Sequence, residues 1–243
     1  MSESLEHLSE AFEGQSAEEI LREAARRYPG RLTFATGLGA EGCVLIDLIA
    51  RAGLDVDLFT LDTGVLFPET LELWRRLEAR YGITIRSVKP RQTIQQQADD
   101  LGPVLWTRDP DRCCELRKVE PLRGELSRFD AWITAIRRDQ TAERATARIF
   151  EPDRKFGLVK VNPLVAWTNK DVWNHLVRND VPYNPLHDQG YPSIGCQPCT
   201  SIVLPGENSR AGRWRGKEKK ECGLHVEPSG TKDVKLTLLK ATG

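Results

Sequence analysis

Short apolar runs alternate with amphipathic stretches along most of the chain, the pattern of strands and helices built around a mostly parallel sheet. RLTFAT (31–36), VDLFTLD (56–62), ITIRSV (83–88), AWITAI (131–136) and LVKVNPL (158–164) read as five strands. CVLIDLIARAG (43–53) reads as a helix, and another opens near Pro68 and runs to Tyr81. Ahead of the first strand, 1–29 reads as helical. There Ser16 and Glu19 form a capping box for a helix through Tyr28, stopped by Pro29 and Gly30. A further helix starts at Thr168, with Asp171 in its first turn, where the helix dipole favours a carboxylate. From about Pro182 periodicity fades and Pro, Gly, Asn and Cys dominate. Residues 1–243 are therefore predicted to form a single α/β domain without internal repeats. Its segment from 182 is irregular and closes over the core, and its last part, 204–243, is expected to be mobile, with Gly206, Gly212, Gly216 and Gly230 giving it freedom.

Composition narrows the partners. With 35 basic and 35 acidic residues the formal net charge is zero, so no global field draws the chain to nucleic acid or to a membrane surface. No apolar run approaches a bilayer span, and the acidic opening MSESLEHLSEAFEG lacks the apolar stretch of a secretory leader. A cytoplasmic protein is expected. In that compartment its six cysteines are thiols, metal ligands or catalysts rather than structural disulfides.

Three polar loops leave the predicted strand ends, where open α/β sheets bind their ligands. TGLGAEG after the first strand aims backbone N–H groups and a helix N-terminus at an anion, with Thr36, Gly37 and Gly39 as candidate contacts. It matches neither the Walker pattern nor G-x-G-x-x-G, and a plain tight turn is the alternative. LDTG after the second strand offers Leu61, Asp62 and Thr63. IRRDQTAER (136–144) after the fourth offers Arg137, Arg138 and Arg144, which suit phosphate or sulfate oxygens through forked hydrogen bonds, with Asp139 and Thr141 between them. Its alternative is a solvated charged loop. Together the three loops point to a nucleotide site.

Cys113–Cys114 and Cys196/Cys199 supply four thiolates from two distant segments. Structural zinc takes four thiolates from two C-x-x-C knuckles, whereas adjacent cysteines reach one ion only with strain. A [4Fe–4S] cube gives each thiolate its own iron. The spacing favours the cluster over zinc, with uncoordinated or redox-switching cysteines as the remaining reading. Cys43, on the apolar face CVLIDLIA, reads as a small buried hydrophobe. Cys222 in KKECGLH (219–225) is different: Lys219, Lys220 and His225 all favour a thiolate, while Glu221 opposes it. From local sequence it is a nucleophile, a ligand or an idle residue.

CCELRKVEPL (113–122), IRRDQTAER, GCQPCT (195–200), RAGRW (210–214) and ECGLH (221–225) together resemble the assimilatory sulfonucleotide reductases, in their iron–sulfur adenylylsulfate (APS) branch, over about residues 30 to 227. The resemblance implies an adenine-nucleotide α-hydrolase-like (Rossmann-like) fold, a mostly parallel sheet flanked by helices, with an irregular C-terminal active-site segment. It implies reduction of APS to sulfite and AMP, with Cys222 forming an S-sulfocysteine and Cys113, Cys114, Cys196 and Cys199 holding a [4Fe–4S] cluster. Lys118 matches a lysine between cluster and substrate, and Arg210 and Arg213 match basic residues near the sulfate. His225 either assists Cys222 by hydrogen bonding or holds the tail. The chain departs from the family where the turn ATGLGAE keeps only Thr36 as a hydroxyl, and where RDQT replaces the common RDQS. Because the other cysteines are assigned, Cys222 has no resolving partner in the chain. A thioredoxin or a glutaredoxin-like donor is therefore expected. A homo-oligomer is the expected assembly, and the alternative is reduction of the related 3′-phospho nucleotide PAPS, or dual use of APS and PAPS.

Overall fold

The computed structural model describes residues 4–219 and 221–225. Lys220, Gly230 and the closing TKDVKLTLLKATG lie outside the described residues. Strands β1 (Leu32–Thr36), β2 (Asp57–Leu61), β3 (Arg86–Val88), β4 (Ala131–Ile133), β5 (Phe150–Asp153) and β6 (Leu158–Val161) form one sheet in the order β3-β2-β1-β4-β6-β5. All neighbours are parallel except β5 against β6. The winding reverses between β1 and β4, so the crevice at their carboxyl ends is the topological switch point where such sheets bind ligands. The glycine turn and the IRRDQ loop, predicted from the sequence to carry anion contacts, flank that crevice.

Both faces of the sheet are covered, which is why its strands read as near-continuous apolar runs. Side chains alternate across it. Leu32, Phe34, Leu58, Ile133 and Val161 pack into one core with helices α1 (Leu5–Phe12), α2 (Ala17–Arg27), α3 (Ala40–Arg51), α4 (Pro68–Tyr81) and residues further along the chain. Phe59, Trp132 and Leu158 face the other way, toward Leu122 and Leu126.

The predicted helix limits hold at Pro68–Tyr81, where Gly82 caps in the left-handed region at φ 62°. The capping box at Ser16 is formed by both reciprocal hydrogen bonds, and a second one at Thr168 opens a helix over Asn169–Arg178. Two features were absent from the pattern. β5 carries Pro152 and lies at the sheet edge, the position that tolerates a residue without N–H. Between β3 and β4 the chain is helical in short pieces: α5 (Ile94–Leu101), α6 (Leu105–Arg108), α7 (Pro110–Cys114) and α8 (Glu120–Leu126), with a π-turn at Glu115–Val119. Pro121 inside a continuous helix would clash with the carbonyl four residues back. The wider π-turn removes that conflict, and the Glu120 N–H donates to the Glu115 carbonyl five residues back. The last helix, α9 (Asn169–Arg178), packs on α3. No helix among the described residues is long and apolar enough to cross a membrane.

On the side of the sheet away from the tail, buried Asp47 of α3 joins three elements. His175 Nε2 lies 2.7 Å from one carboxylate oxygen, the Tyr81 hydroxyl donates to the other at 2.9 Å, and Arg51 lies at 3.6 Å. Burial pushes the Asp47 carboxyl up, but the hydrogen bonds from His175 and Tyr81 and the nearby charges outweigh it and hold it below the ordinary aspartate range. A carboxyl whose folded value is depressed contributes stability above the unfolded value, near pH 4, and loses it as pH falls through the folded value. Asp47→Asn is therefore expected to lower the thermal midpoint at pH 7 and to flatten the acid limb of the midpoint-against-pH curve below about pH 4. Thermal melts across that range measure both.

Candidate active site

The crevice at the switch point is a cleft of about 240 Å³. From β1 and its turn come Thr36, Gly37 and Gly39; from β2 come Leu61 and Thr63; from the loop after β4 come Gln140 and Arg144. The turn after β1 is tight. Leu38 sits at φ 55°, its N–H donates to Thr36 Oγ1 at 3.1 Å, and a Cβ on Gly42 would lie 2.7 Å from that same oxygen. Left-handed backbone at a non-glycine residue is a strained state that recurs at binding sites. α3 begins after Gly39 with no side-chain cap, leaving backbone donors of its first turn available beside the cleft.

Not every predicted contact lies there. Arg138 turns away: its Nε donates to the Ala147 carbonyl at 2.9 Å and its guanidinium pairs with Glu13, tying the loop to the end of α1. Buried Arg137 is held by Glu41 at 3.1 Å and Asp139 at 3.1 Å, and Gln140 also donates to Glu41 at 2.9 Å. Asp62 accepts from the Gly64 N–H at 3.1 Å, stabilising its own turn. Thr141 Oγ1 is buried with no partner among the described residues. Arg144 does line the cleft. Its Nη1 donates to Gln140 at 2.5 Å and its Nη2 contacts Glu221 at 3.1 Å.

A second, smaller pocket adjoins the first and shares Lys118, Cys196 and Arg213 with it. Cys113, Cys114, Cys196 and Cys199 all line it, with Arg117 and Trp214. In a helix, residues four apart share a face, so Cys113 lies with Arg117 and Cys114 with Lys118. The loop arm is registered on β2. The Gln197 N–H donates to the Val65 carbonyl at 2.8 Å, Thr63 Oγ1 lies 3.3 Å from Cys196 Sγ, and Arg117 Nε donates to the Thr63 carbonyl at 2.6 Å. Trp214 N–H donates to the Cys199 carbonyl at 3.0 Å, bringing the basic RAGRW stretch over the pocket. Arg213 lies over the Trp214 ring at 4.5 Å and crosses Gly195 so closely that a Cβ there would overlap its guanidinium.

Burial pushes the Cys113 thiol up to about 11 and the Cys114 thiol up to about 12. As free thiols they would stay protonated at neutral pH; a metal bound to them would stabilise the thiolates. Arg213 Nε and Trp214 Nε1 are buried donors without partners among the described residues, beside a pocket of sulfur. No group of three or more His, Cys, Asp or Glu among the described residues is arranged around a single ion. Four thiols, three flanking cations and two orphaned donors fit an anionic, acceptor-rich group with several attachment points. Cys43 lies elsewhere, fully buried in the core, its thiol pushed up to about 12 by burial.

Cys222 lines the same cleft as the glycine turn, with Lys118 and Arg213. The segment carrying it is fastened at four positions around it. Glu221 pairs with Arg144 and Arg210, each at 3.1 Å. Lys155 Nζ donates to the Gly223 carbonyl. Leu224 packs against the Phe59–Trp132 cluster, and the His225 ring stacks on Trp132 with centroids 5.6 Å apart. Trp132 is itself fixed by its Nε1–H donating to Asp153 at 3.0 Å. Two expectations change. Arg210 does not line the cleft; it pairs with Glu221, which in turn pairs with the cleft residue Arg144. His225 is half-buried, with its Nδ1 shut off from solvent, and faces Arg144, Lys160, Arg210 and Lys155. Burial first, and those cations second, hold it well below its ordinary value, so it is neutral. It cannot favour the Cys222 thiolate as a cation; its geometry is that of an anchor. Lys219 pairs with Asp111 and lies 5.4 Å from the Trp214 ring, over the cysteine pocket. Lys155 and Trp132 were not anticipated. The only signal was the apolar Leu224 between glycine and histidine, which marks a tail that packs.

Residues 31–202 match the model of the phosphoadenosine phosphosulfate reductase domain. The chain belongs to this reductase family. It is similar to adenosine 5′-phosphosulfate reductase 1 of Bacillus subtilis (strain 168), with 49% identity over 207 residues, 85% of this chain and 89% of that protein. It is also similar to a phosphoadenosine 5′-phosphosulfate reductase of Gloeobacter violaceus, with 44% identity over 225 residues, 91% of this chain and 93% of that protein. Among solved structures it resembles the phosphoadenylyl-sulfate reductase of Candida auris in a phosphate complex, at a TM-score of 0.72 and 33% identity, covering 84% of this chain and 99% of that one. This family membership accounts for the mostly parallel sheet and for the crevice at its switch point.

Proposed function

We propose that this reductase converts APS to sulfite and AMP in sulfate assimilation, with Cys222 as nucleophile. One observation carries it: a cysteine flanked by four anchored residues lines the strand-end cleft beside Lys118 and Arg213. The Cys222 thiolate attacks the sulfate sulfur, a Cys–S–SO₃⁻ bond forms, and the S–O bond to AMP breaks with its electron pair on the phosphate oxygen. Lys118 and Arg213 offset the repulsion between thiolate and sulfate oxygens and stabilise charge moving toward the leaving group. A preorganised donor of this kind is worth roughly 3 kcal/mol of barrier. AMP is a stable anion, so no dedicated general acid is needed.

A thioredoxin-type dithiol completes the cycle. One of its thiolates attacks Cys222 Sγ, sulfite leaves with the S–S electron pair, and its second thiol resolves the mixed disulfide and returns the Cys222 thiolate. The donor is oxidised to a disulfide, supplying both electrons. Such thiol traffic suits a cytoplasmic enzyme.

Cys113, Cys114, Cys196 and Cys199 would hold a [4Fe–4S] cluster, with Arg117, Lys118 and Arg213 balancing its charge. When bound, the cluster would supply an electrostatic field beside the sulfate and hold the π-turn and the RAGRW stretch against the cleft. Lys118 belongs to both pockets and so ties the two sites.

The second reading is PAPS, the substrate named for the Gloeobacter relative. Against it stands Glu41, a carboxylate in the cleft lining with Arg137 already paired to it, which disfavours each additional phosphate charge. Steady-state kcat/KM with both nucleotides and a reducing donor decides. A preference for APS of at least tenfold is expected, on the order of one lost charge-assisted contact. A PAPS preference overturns the assignment.

A further inference from the structure

Glu221 is an odd neighbour for a nucleophile that attacks an anion. Its charge adds to the repulsion between thiolate and sulfate, so it needs a reason to be there. Its surroundings supply one. Both carboxylate oxygens lie near Arg144 Nη2, at 3.1 and 3.2 Å, and Oε2 also meets Arg210 Nη2 at 3.1 Å. All three side chains are largely buried, at 13% exposure for Glu221, 12% for Arg144 and 22% for Arg210, where ion pairs are screened far less than at the surface.

Of the two arginines, Arg144 also lines the cleft. With Nη1 on Gln140 and Nη2 on Glu221, its charge is already met by a carboxylate, and an incoming anion competes with that carboxylate for it. Gln140 is its neutral partner; Glu221 is the one that carries a charge of the same sign as a phosphate or sulfate. Incoming anion and Glu221 therefore compete for Arg144.

We infer that Glu221 is a positioning residue that competes with the nucleotide for Arg144. In the empty cleft it clamps the Cys222 segment to Arg144 and Arg210, and an anionic nucleotide at Arg144 releases that clamp. The inference rests on the cleft being the nucleotide site proposed above. Linkage makes the effect reciprocal: the factor by which the clamp weakens nucleotide binding is the factor by which bound nucleotide loosens the clamp. The contacts at Gly223, Leu224 and His225 are independent of Arg144, so they still hold the thiol near the cleft while the acidic side chain swings off. After transfer, AMP at Arg144 keeps Glu221 displaced, and the sulfonated segment is held by one anchor fewer when the external thiol arrives.

The test uses cluster-loaded wild type, Glu221→Gln and Glu221→Asp, with AMP binding followed by calorimetry and Cys222 alkylation by iodoacetamide followed by mass spectrometry without nucleotide. Glu221→Gln is expected to bind AMP roughly fivefold tighter or more, and its Cys222 is expected to be alkylated faster than in wild type. A variant whose fold was merely damaged would bind AMP more weakly. Glu221→Asp keeps the charge on a shorter arm that cannot span both arginines, and it should fall between the two. It carries the same comparison if the glutamine variant loses its cluster absorbance. Wild type that binds AMP while neither variant binds it more tightly overturns the inference. Wild type that binds no AMP overturns the nucleotide-site reading itself.

Discussion

Replacing Cys222 by serine is expected to abolish sulfite formation from APS, by at least about 10⁴-fold, the scale on which loss of a nucleophile is felt. The thiolate is the attacking species, and a serine hydroxyl at neutral pH has no adjacent base to activate it. His225 is not such a base, because it lies stacked on Trp132 at 5.6 Å, with Nδ1 buried and unpartnered among the described residues. The substitution should be silent elsewhere. Cys222 belongs to the cleft and not to the four-cysteine pocket, so the iron–sulfur absorbance, AMP binding and thermal midpoint of the variant should match wild type. Sulfite assays with a reducing donor, alongside absorbance spectra, separate loss of chemistry from loss of structure.

Lys118→Ala carries the second largest expected effect. Lys118 lines both pockets and faces Cys114, Cys196, Cys222 and Arg213. Burial disfavours its charge, yet the Cys196 and Cys222 sulfurs outweigh that, and it stays cationic. A half-buried cation so placed serves a charge that appears there. Removing it should lower the single-turnover rate of sulfonate transfer by roughly 10²–10³-fold, as removal of one preorganised oxyanion donor does. APS binding should change much less, because Arg144 and the turn after β1 remain. A variant that lost APS affinity with an unchanged transfer rate would place Lys118 among ground-state contacts instead. Rapid-quench single-turnover kinetics distinguish the two.

Much of this architecture was legible in the chain because burial on both faces writes strands as plain apolar runs, and because capping boxes at Ser16 and Thr168 mark helix starts independently of packing. The stretch from 94 to 126 was not legible. Gly102, Pro103, Pro110 and Pro121 cut it into pieces too short to show a helical period, and a π-turn shifts the phase midway. β5 was hidden for a similar reason, since a proline-bearing edge strand does not look like a strand.

In the site, residue types that carry chemistry were found and their surroundings were not. The four cysteines, Lys118, Arg144, Arg213 and Cys222 stand around two adjoining pockets. Arg137, Arg138 and Arg144 look equivalent in IRRDQTAER, and only tertiary structure supplies Glu41 for the first, Glu13 for the second and Glu221 for the third. Charge on a loop says that anions are bound; it does not say which are the protein's own. His225 shows the same limit, because its neutrality follows first from burial against Trp132 and then from four cations contributed by other segments.

Cys222 as the acceptor of the sulfonate is the claim on which the rest depends, and one measurement addresses it without a donor protein. Cluster-loaded enzyme is reduced, freed of small thiols, mixed with one equivalent of APS and analysed by intact-mass and peptide mass spectrometry. A stoichiometric adduct of one sulfonate group on Cys222, removed by added thioredoxin with release of sulfite, is the expected result. Sulfite released in that single turnover with Cys222 unmodified, or an adduct on any other cysteine, would contradict it.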